Sequence, residues 1–185
     1  MRIVGGRLRG RVLRGPSSQA VRPTSDRLRE ALFNVLAHAY GDPADGASVL
    51  DLFAGTGALG LEALSRGAQA ALFVDNSAEG RALVRANIEA LGLGGQARLL
   101  PRDASRLGAA AGEAPFDLVF CDPPYGRDLA GRALAAAQAG GWLAPGALVV
   151  VEEAAQAGFL PPEGFAEQER RRYDATEIVI LRAPG

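Results

Sequence analysis

The sequence predicts an α/β fold: an open, mainly parallel sheet covered by helices, with an antiparallel hairpin at its C-terminal end. Three observations lead there. From residue 48 onward, short apolar runs alternate with longer segments of helical period. The first apolar run passes directly into a glycine-rich turn, DLFAGTGALG, at residues 51–60. The last two runs, FAEQERRRY and TEIVILR, are separated only by Asp174-Ala175, which leaves no room for a crossover helix and makes them antiparallel.

Taken in order, IVGGRLRGRVLRGP (residues 3–16) reads as a Gly-rich β-hairpin, followed by a turn at Arg22-Pro23. A helix then begins near Thr24 or Ser25, either of which can cap it. Its apolar face is Leu28, Ala31, Leu32, Val35, Leu36 and Ala39, which leaves Arg27 and Arg29 on its surface. Strands are expected at SVLDLF (48–53), AALFVD (70–75), ARLLP (97–101), FDLVFCD (116–122) and ALVVVEE (147–153). Helices fall at 57–66, 77–91 and 128–139, and Gly67 and Gly92 follow the first two where a left-handed residue ends a helix. With no internal repeat and no long linker, residues 1–185 form one domain, an extension (1–45) preceding the core (46–185).

The N-terminus never builds the apolar run of a signal peptide or membrane span, so a soluble, cytoplasmic protein is expected. The single Cys121 excludes an internal disulfide, and one His, His38, leaves no Cys/His cluster for zinc; no metal is indicated. His38, Trp142 and Cys121 read as a helix-surface residue, a packing aromatic and a buried strand residue. The net charge of −1 conceals an asymmetry, because Arg2, Arg7, Arg9, Arg11, Arg14, Arg22, Arg27 and Arg29 crowd the first thirty positions against only Asp26 and Glu30. Arg7, Arg9, Arg11, Arg22 and Arg27 are the candidates for nucleic-acid phosphate contacts, which position a polyanion without reading its sequence. Arg170 to Arg172 read instead as a charged edge of the last hairpin.

Gly55, Gly57 and Gly60 spell G-x-G-x-x-G, the fingerprint of dinucleotide binding. Asp51 argues against that ligand, because a carboxylate under the loop opposes a pyrophosphate at the helix N-terminus. It suits a ligand with an amine, a sulfonium and no phosphate, which describes S-adenosylmethionine. Asp75, ending the next strand, is placed for ribose hydroxyls, a role common to both cofactors. Asp103, in RDAS, is either an adenine contact or a helix N-cap. Phe53, Asn76 and Ala104, beside these positions, complete the cofactor set.

DPPY, Asp122 to Tyr125, stands at the end of the fourth strand. Pro123 and Pro124 lack N–H groups and stiffen the loop, leaving carbonyl acceptors and one carboxylate to receive both hydrogens of an amino group. A nucleobase amine is a poor nucleophile; hydrogen bonds from both its protons to Asp122 and the Pro123 carbonyl turn its lone pair toward a methyl donor, and Tyr125 is available to stack on the base. A helical or stacked base must be extruded to reach this loop.

DLFAGTGALGLEAL, FVDN and DPPY, with RIVGGRLRGR, RPTSDRLREALFNVL and RRYDATEIVILR, resemble the bacterial guanine-N2 methyltransferases of small-subunit ribosomal RNA, the RsmD type, over nearly the whole chain. The resemblance implies a Rossmann-like class I methyltransferase fold, S-adenosylmethionine as cofactor, and methylation of one guanine 2-amino group on 16S rRNA assembled with small-subunit proteins; separately, a monomer is expected. On the family pattern Asp51, Gly55 and Gly57 match the cofactor loop, Asp75 the ribose acid, Asp103 the adenine contact, and Asp122, Pro123, Pro124 and Tyr125 the catalytic loop. Members often carry Glu at the position of Asp75, so the reach to the ribose differs. RPTSDR either closes over the methionine end of the cofactor through Thr24 or Arg27, or only starts the helix. The rival activities are amino-methylation of another base such as adenine, NAD-dependent oxidoreduction, and RNA binding without catalysis.

Overall fold

A computed structural model describes residues 1–17 and 24–185. Its seven-stranded sheet runs β3 (Ala97–Leu100), β2 (Ala70–Val74), β1 (Ser48–Leu52), β4 (Phe116–Cys121), β5 (Leu143–Ala154), β7 (Thr176–Arg182), β6 (Ala166–Tyr173). The first five strands in sequence are mutually parallel, and β7 is antiparallel to both β5 and β6. The chain builds outward from β1 through β2 to β3, then returns to β1's other side with β4. The switch point between β1 and β4 is where an open α/β sheet leaves a crevice beyond its strand ends.

Helices α1 (Asp26–Ala39), α2 (Ala58–Ser65) and α3 (Ala78–Leu91) cover one face, and α4 (Leu129–Ala139) covers the other. Neighbours along β1 alternate between the two cores, Val49 facing the first and Leu50 the second, as period-2 side chains must. Trp142 is buried, stacks on Phe116 at 6.4 Å and donates its indole N–H to the Gly108 carbonyl at 2.8 Å. Cys121 is wholly buried and His38 is exposed.

One sequence expectation is met in part and two need correction. The N-terminal hairpin forms but is short: an isolated antiparallel bridge joins Arg2 to Val12, and Ile3 N–H donates to the Arg11 carbonyl, Gly10 N–H to the Ile3 carbonyl and Leu13 N–H to the Met1 carbonyl. The amides nearer its turn go to α2: Val4 and Gly5 N–H donate to Glu62, Arg7 N–H to the Ser65 carbonyl and Leu8 N–H to Ser65 Oγ. Helix α1 buries Arg29, Leu32, Phe33 and Leu36, while Ala39 is exposed; Arg29, expected on the surface, is completely buried. The docked face therefore includes one position the apolar pattern hid, and burial of Leu32, Phe33 and Leu36 contributes roughly 1.5–3 kcal/mol each. Phe33 packs on Phe120 at 5.6 Å, and the Arg66 guanidinium lies 4.8 Å above its ring. Finally, β5 starts at Leu143 rather than 147, because Leu143 pairs with Phe116 before a register shift that accommodates Pro145-Gly146.

Candidate active site

The glycine loop leaves β1 with Phe53 at φ 56°, then Gly55 at 60° and Gly57 at 81°. Gly57 is the N-cap of α2 in a left-handed conformation that a side chain resists. Gly60 serves packing instead, since a Cβ there would lie 2.5 Å from Phe73 Cε1. Ala54 N–H donates to the Val74 carbonyl at 3.0 Å, pinning the loop across the end of β2.

Asp51 is 1% exposed, and its Oδ2 accepts the Gly60 N–H at 2.9 Å. It thus caps α2 from the neighbouring strand, filling at the helix N-terminus the slot a phosphate would use. Burial raises its pKa to about 8, with the Gly60 bond opposing and the Asp75 charge adding to the rise. The carboxyl is therefore harder to ionise than an exposed aspartate. A cationic partner nearby favours ionisation, whereas a phosphate finds no donor left at Gly60.

Asp75 accepts the Gly55 N–H on Oδ2 at 2.9 Å and Ser77 N–H and Oγ on Oδ1 at 2.9 and 2.7 Å, tying the loop to the start of α3. Asn76 is exposed beside it. Asp103 is the N-cap of a short 3-10 turn, Ala104–Arg106, its Oδ1 receiving Ser105 N–H at 2.9 Å and Oγ at 2.7 Å; Ala104 is buried. Asp51, Asp75 and Asp103 therefore lie at or just beyond the carboxyl ends of β1, β2 and β3, a row of acceptors suited to amine and hydroxyl donors. These acceptors suit a phosphate-free adenosyl cofactor, and Asp51 on the Gly60 N–H opposes the pyrophosphate of a dinucleotide.

Across the switch point, Asp122 follows β4, its N–H donating to the Leu52 carbonyl at 3.4 Å. A cavity of about 20 Å³ brings Asp122 together with Thr24, Asp51, Phe53, Gly55 and Leu59. Pro123 is buried and Pro124 exposed. The half-buried Tyr125 is tied back: its hydroxyl lies 3.0 Å from Thr176 Oγ1 and donates to Glu152 Oε1 at 3.5 Å. Thr24 is 6% exposed, and its Oγ1 stands 3.1 Å from Asp122 Oδ2 and 3.0 Å from Glu152 Oε2.

Glu152, absent from the sequence-derived set, is 4% exposed at the carboxyl end of β5. The signal lay in ALVVVEE, where two carboxylates end a run otherwise buried on both faces. Glu152 also lines a second cavity of about 820 Å³ with Thr24, Arg27, Arg172, Tyr173 and Thr176, between the start of α1 and the β6–β7 turn.

The candidate phosphate contacts are not gathered in one place. Arg27 is exposed at the large cavity. Arg7 and Arg11 bond to Gln96 Oε1 and the Ala90 carbonyl, near the start of β3 and the end of α3. Arg7 N–H also binds Ser65 at the end of α2, roughly 12 Å from the glycine loop at 1.5 Å per residue. Arg9 is exposed on the same arm, and Arg22 lies outside the described residues.

The family model for conserved hypothetical protein 95 matches residues 1–182. The Escherichia coli K12 ribosomal RNA small subunit methyltransferase D is 43% identical over 159 residues, covering 85% of this chain and 77% of that protein. The chain belongs to this methyltransferase family. A second member, from Haemophilus influenzae, is 34% identical over 167 residues, covering 89% of this chain and 84% of its own. Among solved structures, the Escherichia coli yhhF protein superposes with a TM-score of 0.83 at 33% identity, over 100% of this chain and 98% of its own. The methyltransferase family thus shares with this chain the class I fold and its arm. Among the described residues no group of His, Cys, Asp and Glu could hold a metal ion, and no helix is long and apolar enough to cross a membrane.

Proposed function

We propose that this methyltransferase transfers the methyl group of S-adenosylmethionine to the exocyclic 2-amino group of a guanine in small-subunit 16S rRNA, presented by the assembled subunit in the cytoplasm. The Escherichia coli relative's name supports the RNA class. The observation that carries the chemistry is the small cavity joining Asp122 of DPPY to Asp51 and the glycine loop.

Asp75 and Asp103 would hold the ribose hydroxyls and adenine amine, and the Asp51 region the charged methionine end. Bound there, S-adenosylmethionine supplies an electrophilic methyl on sulfur. Asp122 and the Pro123 carbonyl accept the two hydrogens of the base amine, which frees its lone pair from the ring and aims it into the crevice. As the nitrogen becomes positive, the Asp122 carboxylate stabilises the charge and then takes the surplus proton. Isolated small subunits, naked 16S rRNA and duplex DNA incubated with labelled cofactor test this reading. Label on the N2 of one guanine in the subunits is expected; label confined to adenine or to DNA would overturn it.

A further inference from the structure

We infer that Thr24 is a positioning residue: its hydroxyl holds the Asp122 carboxylate in the orientation that receives the base amine. The inference rests on the reading of Asp122 given above. Thr24 Oγ1 lies 3.1 Å from Asp122 Oδ2 and 3.0 Å from Glu152 Oε2. One side chain just ahead of α1 thereby reaches both the residue that follows β4 and the carboxyl end of β5, beside the switch point of the sheet.

The helix does not need this hydroxyl. Ser25 is the N-cap of α1, its Oγ accepting the Leu28 N–H at 3.1 Å, so the capping role that the sequence left open to Thr24 is filled by its neighbour. Thr24 is instead 6% exposed and lines the small cavity with Asp122 and the glycine loop. A carboxylate that receives an amine needs such a tether. The terminal torsion of an aspartate has broad minima, whereas the reacting geometry must be held within about 0.5 Å and 10–20°.

Thr24 is rigid enough to supply it. Two heavy atoms on its Cβ restrict χ1. Its carbonyl accepts Arg29 Nη1 at 3.1 Å, and Arg29, completely buried, is itself fixed by Glu62 at 3.2 Å. Glu152, 4% exposed on a strand paired on both sides, gives the hydroxyl a second anchor. Valine at this position keeps the shape and loses the hydroxyl; serine keeps the hydroxyl and loses the stiffness.

The test is single-turnover methyl transfer to small subunits at saturating enzyme and S-adenosylmethionine. It compares the unaltered chain, Thr24→Val, Thr24→Ala, Thr24→Ser, Asp122→Ala and the double variant Thr24→Val with Asp122→Ala. Each rate is normalised to the sites that bind cofactor in calorimetry, so partial loss of folded protein does not move it. Thr24→Val and Thr24→Ala are expected to slow transfer by about tenfold or more at unchanged cofactor and subunit affinity, and Thr24→Ser to bring the rate within about threefold of the original. In the Asp122→Ala background, Thr24→Val should slow transfer by less than about twofold, because a residue that acts through Asp122 then has nothing to position. Equal slowing in both backgrounds, a serine variant as slow as the valine one, slowing that tracks lost cofactor or subunit binding, or transfer at the original rate would overturn the inference. Transfer at the original rate by Asp122→Ala alone would instead overturn the parent reading, and this one with it.

Discussion

Arg29 Nε lies 3.2 Å from Glu62 Oε1, with both side chains completely withdrawn from solvent. Glu62 also receives Arg66 Nε at 2.8 Å and the N–H groups of Val4 and Gly5, so one carboxylate joins α1, α2 and the N-terminal arm. Arg29 in turn donates to the Thr24 carbonyl at 3.1 Å, which fixes the residue standing between Asp122 and Glu152. A buried ion pair adds little net stability when intact, but removing one partner strands the other charge.

Glu62→Ala is therefore expected to destabilise the fold by about 3–5 kcal/mol. Urea denaturation would show it as a lower midpoint. A loss below about 1 kcal/mol would mean that the arm and α1 are held mainly by their apolar contacts.

Asp51 makes stability depend on pH in the direction opposite to an ion-paired aspartate. Its folded pKa is about 8 and its ordinary value 3.8, so between these values the folded chain binds a proton that the unfolded chain lacks. Stability from this group is greatest near pH 4, falls as pH rises toward 8, and levels off above it, at roughly 1.4 kcal/mol per pH unit at the steepest. Asp51→Asn, which keeps an acceptor for Gly60 N–H, should flatten that decline. Denaturation curves at pH 5, 7 and 9 on both proteins check it.

Two glycines of the loop should fail for different reasons. Gly60→Ala places a Cβ 2.5 Å from Phe73 Cε1 and 3.1 Å from Asp51 Oδ2, so helix and sheet must separate, at about 1–3 kcal/mol. Gly57→Ala meets nothing closer than 3.3 Å but must hold φ at +81°, costing about 1–2 kcal/mol through the backbone. A compensating Phe73→Leu should rescue the first variant and leave the second unchanged, as thermal midpoints of the four proteins would reveal.

Arg27 and Arg7 should separate on a salt titration. Arg27 borders the large cavity, whereas Arg7 binds Gln96 near the far ends of α2 and α3. Arg27→Ala is expected to weaken binding to small subunits and reduce the slope of log affinity against log salt by about one, with Arg7→Ala leaving the slope within error. Equal effects would place the arm of residues 2–11 on the RNA as well.

The parallel core and the crevice were legible because their signals are local. Apolar runs of strand length, a glycine turn and a proline pair each declare themselves within a few residues. Arg29 and Glu62 were not legible, since a charge on a helix looks solvated until a partner 33 positions away is known to be buried with it. The shortness of the N-terminal hairpin has the same origin, because the acceptors that draw off the amides of Val4, Gly5, Arg7 and Leu8 belong to α2. Glu152 was missed since Thr24, 128 positions earlier, supplies its meaning. That Asp103 caps a 3-10 turn rests on one hydrogen bond, from Ser105, which spacing alone left open.

On the proposed reading, Asp122 acts on the amine and not on the cofactor. Calorimetric S-adenosylmethionine binding and single-turnover methyl transfer to small subunits, measured side by side for the unaltered chain and Asp122→Ala, test it most directly. Cofactor affinity within about threefold of the original is expected, with transfer slowed by at least about a hundredfold. Transfer at the original rate, or loss of cofactor binding in step with activity, would contradict it.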